Sequence, residues 1–182
     1  RHGRGATDRR GHRRDEGGAP MSKIDLVLRE LHRSENSLAR TLLLMADRHR
    51  AEHEVFHVAR DIAGWSQEHV ERIVACAERR GLHISRSASA GAPAVVERVV
   101  QRASTAVTSR PETGLLLLAD LRRLHRKAAG VSLDWEVLAQ AAQAMKERDV
   151  FELASSCHPQ TLRQMRWANA QLKVHAPQVI AS

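Results

Sequence analysis

Between Ile24 and Met45 the apolar side chains Ile24, Val27, Leu28, Leu31, Leu38, Leu42 and Met45 return at intervals built from threes and fours. That interval is the pitch of an α-helix with one apolar face, and a strand, whose faces alternate every second residue, cannot bury it. A second series has the same spacing: Val55, Val58, Ala59, Ile62, Trp65, Val70, Ile73 and Ala77. At 100° per residue the centre of this second stripe lies about 130° from that of the first. One straight helix cannot turn both stripes to a single core, so the chain must turn between Ala46 and Glu52 and come back as an antiparallel hairpin.

The ends of these two helices carry their own signals. Ser22 is placed to accept the free N–H groups of the first turn. Gly81 suits the left-handed position just past the second helix, after Arg79 and Arg80 at the negative end of its dipole. From Leu82 to Pro93 the chain reads LHISRSASAGAP, which is loop chemistry. Val95, Val96, Val99, Val100 and Ala103 predict a short extra helix in this connection, with an edge segment as the alternative because the residues are β-branched. Pro111 to Gly114 then punctuates the chain before a third series that runs from Leu117, Leu118, Leu121, Leu124 and Ala128 to Trp135, Leu138, Ala142 and Met145, with a break expected at Gly130. The fourth helix holds Val150, Leu153, Leu162, Met165 and Leu172. Pro159 either opens a new segment of it or kinks it, and its end is expected before Pro177.

Two helical hairpins joined by a long connection predict an all-α, antiparallel four-helix bundle with one crossover. Composition agrees: aromatic residues make up 3% of the chain and Tyr is absent, so little favours a pleated surface. With 182 residues, a single domain over residues 21–182 is expected. Residues 1–20 have no apolar side chain larger than Ala and are expected to be a disordered tail, with Met21 the expected true start. That tail carries six arginines against three carboxylates, which leaves 23 basic and 18 acidic residues spread along the helices out of a net charge of +8. Nucleic acid is therefore a secondary expectation, through the basic tail or the run Arg122, Arg123, Arg126 and Lys127. The longest apolar run, Leu115 to Ala119, is far too short to span a bilayer, and a cytoplasmic location is expected. Cys76 and Cys157 stand alone, without a CxxC partner, and read as buried thiols. Trp65, Trp135 and Trp167 read as core side chains.

Two polar residues interrupt the apolar stripes. Glu35 takes the inward slot between Leu31 and Leu38, and His69 the slot between Trp65 and Ile73. A carboxylate turned into a core needs a partner. At this point the chain resembles the ferritin-like superfamily, in which the first helix gives a Glu and the second a Glu-x-x-His to one iron of a di-iron site, and the second hairpin repeats the pattern. Glu35 matches the first position. His69 matches the second-helix His, 34 residues on, but Ser66 stands where that motif has Glu. In the second half Asp120 or Glu136 stands in for the third-helix carboxylate, with His125 nearby, while the fourth helix reads Gln164-Met165-Arg166-Trp167 in place of Glu-x-x-His.

The resemblance implies a bundle that has lost most di-iron ligands and works as a binding or stress-associated structural module, self-associating into a homo-oligomer. The competing expectation is a degenerate metal site of Glu35, His69, Asp120 and His125 that takes iron or manganese for oxidation or storage. A literal Glu54-x-x-His57 and the histidines His49, His53 and His57 cluster at the first turn, where a solvated polar surface is expected. No phosphate loop, nucleophile elbow or HExxH helix is present in the sequence.

Overall fold

A computed structural model of the chain describes residues 22–85 and 110–181, with side chains in the third helix described from residue 113. The predicted tail and the predicted short helix at Val95 to Ala103 lie outside the described residues. Four helices account for nearly all the rest: α1 (Lys23–Arg48), α2 (His53–Arg79), α3 (Arg110–Met145) and α4 (Arg148–Ile180). Among the described residues there is no strand.

The first hairpin follows its sequence signals. Ser22 Oγ accepts the Asp25 N–H at 3.2 Å, and Asp25 Oδ2 accepts the Ser22 N–H at 3.1 Å, closing a reciprocal capping box on α1. At the end of α2, Gly81 has φ +73°. Its N–H donates to the Glu78 carbonyl at 3.0 Å and that of Leu82 to Ala77 at 2.9 Å, a Schellman motif with buried Leu82 folded back on the helix. The turn between α3 and α4 has the same pattern, with Lys146 in the left-handed position at φ 59° and Glu147 N–H donating to Ala142 O at 2.9 Å.

The second hairpin departs from its sequence signals in three places. Pro111 and Gly114 lie inside α3 rather than ahead of it. Proline is tolerated in a first turn because the N–H it lacks has no helical partner there, and Gly114 marks close helix packing. A Cβ on it would stand 2.8 Å from Val179 Cγ2 of α4. Gly130 does not break α3, which is continuous over 36 residues: Ala128 and Val131 are both buried, and their packing outweighs the roughly 1 kcal/mol that Gly costs relative to Ala. Likewise α4 runs on through Pro159 and past Pro177 to Ile180. Pro159 leaves the Ser155 carbonyl without a helical donor, yet Leu153 and Cys157 before it and Thr161 and Ala168 after it are all buried, which keeps both sides within one helix and sets aside a new segment opening at Pro159.

Side-chain pairs fix the helix order. Glu35 meets His69 and Asp25 meets Arg80 across α1 and α2. Lys127 meets Ser37, and Arg48 meets Asp120, across α1 and α3. Gln171 meets Glu54, and Gln164 meets Ser66, across α2 and α4, while His125 meets Met165 and Ser132 meets His158 across α3 and α4. In every pair one number rises as the other falls, so all four neighbouring helices are antiparallel. The order around the bundle is α1, α2, α4, α3, which leaves α2 and α3 on a diagonal and pointing the same way. The chain between them therefore joins opposite ends of the bundle, roughly 40 Å apart at 1.5 Å per helical residue. This is an antiparallel four-helix bundle with one crossover. Its core is dominated by Leu28, Leu31, Leu38, Leu42, Ile73, Leu121, Leu124 and Leu138, all at 0% exposure. Each such side chain contributes about 1.5 to 3 kcal/mol by leaving water.

Candidate functional site

At mid-height in this core all four helices supply one polar group to a single point. Glu35 on α1 is fully buried, and its Oε1 accepts three hydrogen bonds: from His69 Nδ1 on α2 at 2.9 Å, from Trp135 Nε1 on α3 at 2.7 Å and from Thr161 Oγ1 on α4 at 3.1 Å. The second ring nitrogen of His69 meets Gln160 Oε1 at 2.7 Å. Both ring nitrogens of His69 are therefore engaged, and the ring and the Glu35 carboxyl form a buried hydrogen-bonded pair. The Trp135 and His69 rings also meet edge to face, with centroids 5.6 Å apart. Glu35 Oε2 is buried with no partner among the described residues.

One helical turn away lies a neutral layer. Gln164 Nε2 donates to Ser66 Oγ at 3.0 Å and to the Ile62 carbonyl at 2.7 Å. Ser66 and Gln164 thus meet directly, while Gln164 Oε1 is buried with no partner among the described residues.

Of the four residues grouped from sequence as a metal set, the structure brings Glu35 and His69 together and places Asp120 and His125 elsewhere. Asp120 lies fifteen residues before Trp135 on α3, about 22 Å along the axis. There its Oδ2 accepts from Arg48 at 2.7 Å and from His49 at 2.9 Å, with Arg123 3.8 Å from its other oxygen. Burial pushes the Asp120 carboxyl up, but the hydrogen bonds and charges of His49 and Arg48 outweigh it and hold the group below the usual carboxylate range. His125 is tied through Nδ1 to the Met165 carbonyl at 3.1 Å. Glu136, the other carboxylate considered from sequence for α3, is 3.8 Å from the half-buried His158. Among the described residues no three His, Cys, Asp or Glu side chains are grouped so as to hold a metal ion.

The histidines of the first turn separate in the same way. His49 is buried against Asp120, whereas His53 and His57 meet each other at 3.1 Å in the open, and Glu54 accepts from Gln171 of α4. At the opposite end of the bundle Arg80 donates to Asp25 at 3.2 Å and to Glu147 at 2.8 Å, joining the start of α1, the end of α2 and the α3–α4 turn. Cys76 and Cys157 are buried free thiols, and burial pushes the Cys157 thiol up to about 11. Trp135 is fully buried, while Trp65 and Trp167 pack half-buried against the core.

Sequence reasoning missed the indole N–H of Trp135, the Thr161 hydroxyl and the Arg80 clamp. Thr161 and Gln164 were legible in principle, since they interrupt the inward series of Cys157 and Ala168 in the way that Glu35 and His69 interrupt theirs.

Fold and site together define an all-α bundle with a polar core node to which every helix contributes. The chain matches no protein-family model, no curated protein and no solved structure with which it was compared. Among the described residues no helix is long and apolar enough to cross a membrane.

Proposed function

We propose that this chain is a ferritin-like bundle that works as a binding and structural module, its former metal centre replaced by a hydrogen-bonded glutamate–histidine pair. The observation that carries this reading is the crowding of Glu35 Oε1, which three protein donors from the other three helices already claim. A di-iron centre needs several carboxylate oxygens and two imidazoles around two cations. Here one carboxylate and one imidazole face each other, with both ring nitrogens engaged, and a neutral Ser66–Gln164 pair occupies the next layer. These residues do not fit a di-iron group.

The same reading gives the bundle exposed helix faces through which copies associate. Leu133 and Val137 stand one turn apart on the outer side of α3, at 66% and 55% exposure, the kind of side chain a contact between copies would cover. A sedimentation-velocity series should show a concentration-dependent oligomer that Leu133→Glu with Val137→Glu reduces to monomer.

A second reading, a degenerate iron or manganese site used in oxidation or storage, has Glu35 Oε2 on its side, a buried acceptor with no partner among the described residues. Protein loaded with Fe(II) or Mn(II), desalted and assayed by plasma mass spectrometry separates the two. The module reading expects no retained metal in wild type. About one ion per chain in wild type, absent from Glu35→Ala and His69→Ala proteins that remain helical by circular dichroism, would overturn it.

A further inference from the structure

Outside the core, α1 and α3 leave a groove of about 230 Å³ between them, lined by Ser34, Ser37, Arg126, Lys127, Gly130, Val131 and Asp134. It is independent of the glutamate–histidine pair at the bundle centre and of whether a metal binds there. Lys127 is half-buried in its wall, and its ammonium donates to the neutral Ser37 hydroxyl. Burial pushes the Lys127 amine down from its ordinary range, and the like charges of Arg40 and Arg123 push it further the same way. Arg126 adds a further cation to the wall, and among the lining residues only Asp134 is negative. A crowd of like charges at a concave, partly desolvated place is costly by itself, and an anion seated there removes that cost.

The size and layout of the groove narrow the class of anion. At 230 Å³ it is smaller than the pockets that hold drug-sized ligands, so the occupant is a compact molecule. Arg126 and Lys127 both line the groove and are its only cations among the described residues, so the cationic end serves one phosphate, whereas proteins that hold duplex DNA by charge meet about six to ten. Asp134, seven residues beyond Lys127, lies about 10 Å along the axis. A second anionic group cannot extend to that end, but a hydroxyl or amine would be accepted there. Gly130, midway, has no side chain to fill the floor, and a Cβ on it would meet nothing within 4 Å.

We propose that the α1/α3 groove binds a small phosphomonoester, its phosphate held by Arg126, Lys127 and the Ser37 hydroxyl and its hydroxyl- or amine-bearing end by Asp134. The full chain should be titrated calorimetrically with inorganic phosphate and with glucose 6-phosphate in low chloride, for wild type, Lys127→Gln, Asp134→Asn and Arg122→Gln. Arg122 is exposed on the same helix with no part in the groove wall. The expected result is saturable binding of one molecule per chain, tighter for glucose 6-phosphate. Lys127→Gln should weaken both ligands at least tenfold and Arg122→Gln should leave both within twofold, while Asp134→Asn should abolish the preference for the sugar phosphate. No saturable binding, or equal weakening by Arg122→Gln and Lys127→Gln, would show only diffuse attraction and overturn the proposal. So would cosedimentation with phosphatidic acid vesicles, or retention by duplex DNA, in a protein that binds neither small probe. Circular dichroism spectra identical to wild type keep a lost fold from being read as a lost site.

Discussion

Glu35 is held by donors from three helices, and that is what makes it informative at the scale of a single residue. Glu35→Ala would leave a buried imidazole N–H, an indole N–H and a hydroxyl without their common acceptor. Breaking a buried pair from one side typically costs about 3 to 5 kcal/mol, so urea unfolding of Glu35→Ala should show a loss of that order. Because removing His69 strands the same partner, the double variant Glu35→Ala with His69→Ala should lose much less than the sum of the two singles, and additive losses would show that the two side chains do not act as a pair. Lys146 offers a prediction of opposite sign. It is the one non-glycine residue with positive φ among the described residues, in a position where a Cβ costs about 1 to 2 kcal/mol. The corresponding place after α2 has Gly81. Lys146→Gly should therefore stabilise the chain by about 1 kcal/mol, raising its melting temperature by about 2 to 4 °C, and no rise would mean that the turn is held by its neighbours rather than strained by its residue.

The two glycines of α3 show, at the scale of the helix, why a residue type alone does not foretell its effect. Alanine is the better helix former by about 1 kcal/mol at either site. At Gly130 a Cβ meets open space, so Gly130→Ala should stabilise by up to that amount. At Gly114 the same atom would stand 2.8 Å from Val179 Cγ2, closer than side chains pack, and α4 would have to move away. Gly114→Ala should thus be destabilising in thermal melts, and Val179→Ala introduced beside it should recover the loss. A stabilised Gly114→Ala protein would refute the close approach of α3 and α4. These positions also mark how far the elements could be read from the chain. The first hairpin was legible because two apolar stripes of one period differ in phase and no single helix buries both. In the second hairpin Gly130 was read as a break, Pro159 as the opening of a new segment or a kink, and Pro177 as lying past the helix end, since locally each disfavours a helix. Buried neighbours on both sides keep Gly130 and Pro159 each within a continuous helix, and that packing is information no local window holds. The central site was half legible for a similar reason. Glu35 and His69 are plainly polar among apolar residues, whereas Trp135 and Thr161 offer one polar atom each on side chains that otherwise look like core. Asp120 was joined to Glu35 as a stand-in for the third-helix carboxylate that the resemblance implies, but the distance along the bundle depends on how the helices slide past one another, which the sequence of one helix does not carry.

At the scale of the whole molecule, two clusters of charged side chains tie helices together at opposite ends of the bundle. Arg48, His49 and Asp120 tie α1 to α3 at one end, and Asp25, Arg80 and Glu147 tie α1, α2 and the α3–α4 turn at the other. The carboxyls of Asp120 and Asp25 both lie below their ordinary range. Burial pushes each of them up, and hydrogen bonds from His49 and Arg48 in one case, and from Ser22 and Arg80 in the other, outweigh it. A carboxyl depressed in the folded state binds its proton more readily when the chain unfolds. Its contribution is therefore complete above the unfolded value of about 3.9 and disappears as pH falls through the lower folded value. Stability should be level with respect to these two groups near neutrality and should fall below about pH 4. Asp120→Asn should lower stability at pH 7 while flattening that acid limb, because the amide has no proton to take up and cannot pair with Arg48 as a charge. Parallel acid limbs for wild type and Asp120→Asn, measured by urea midpoints between pH 2 and 7, would mean that the end clamp around Asp120 does not couple protonation to folding. The same titration tests whether the bundle opens as one unit. Cys157, buried beside the central layer with its thiol pushed up to about 11, should react with a disulfide reagent only as fast as the whole chain unfolds. Its labelling rate, divided at each pH by that of a thiol in the unfolded chain because only the thiolate reacts, should then rise on the acid side in step with the loss of global stability, and a ratio that stayed flat while the urea midpoint fell would show that the ends fray without opening the core.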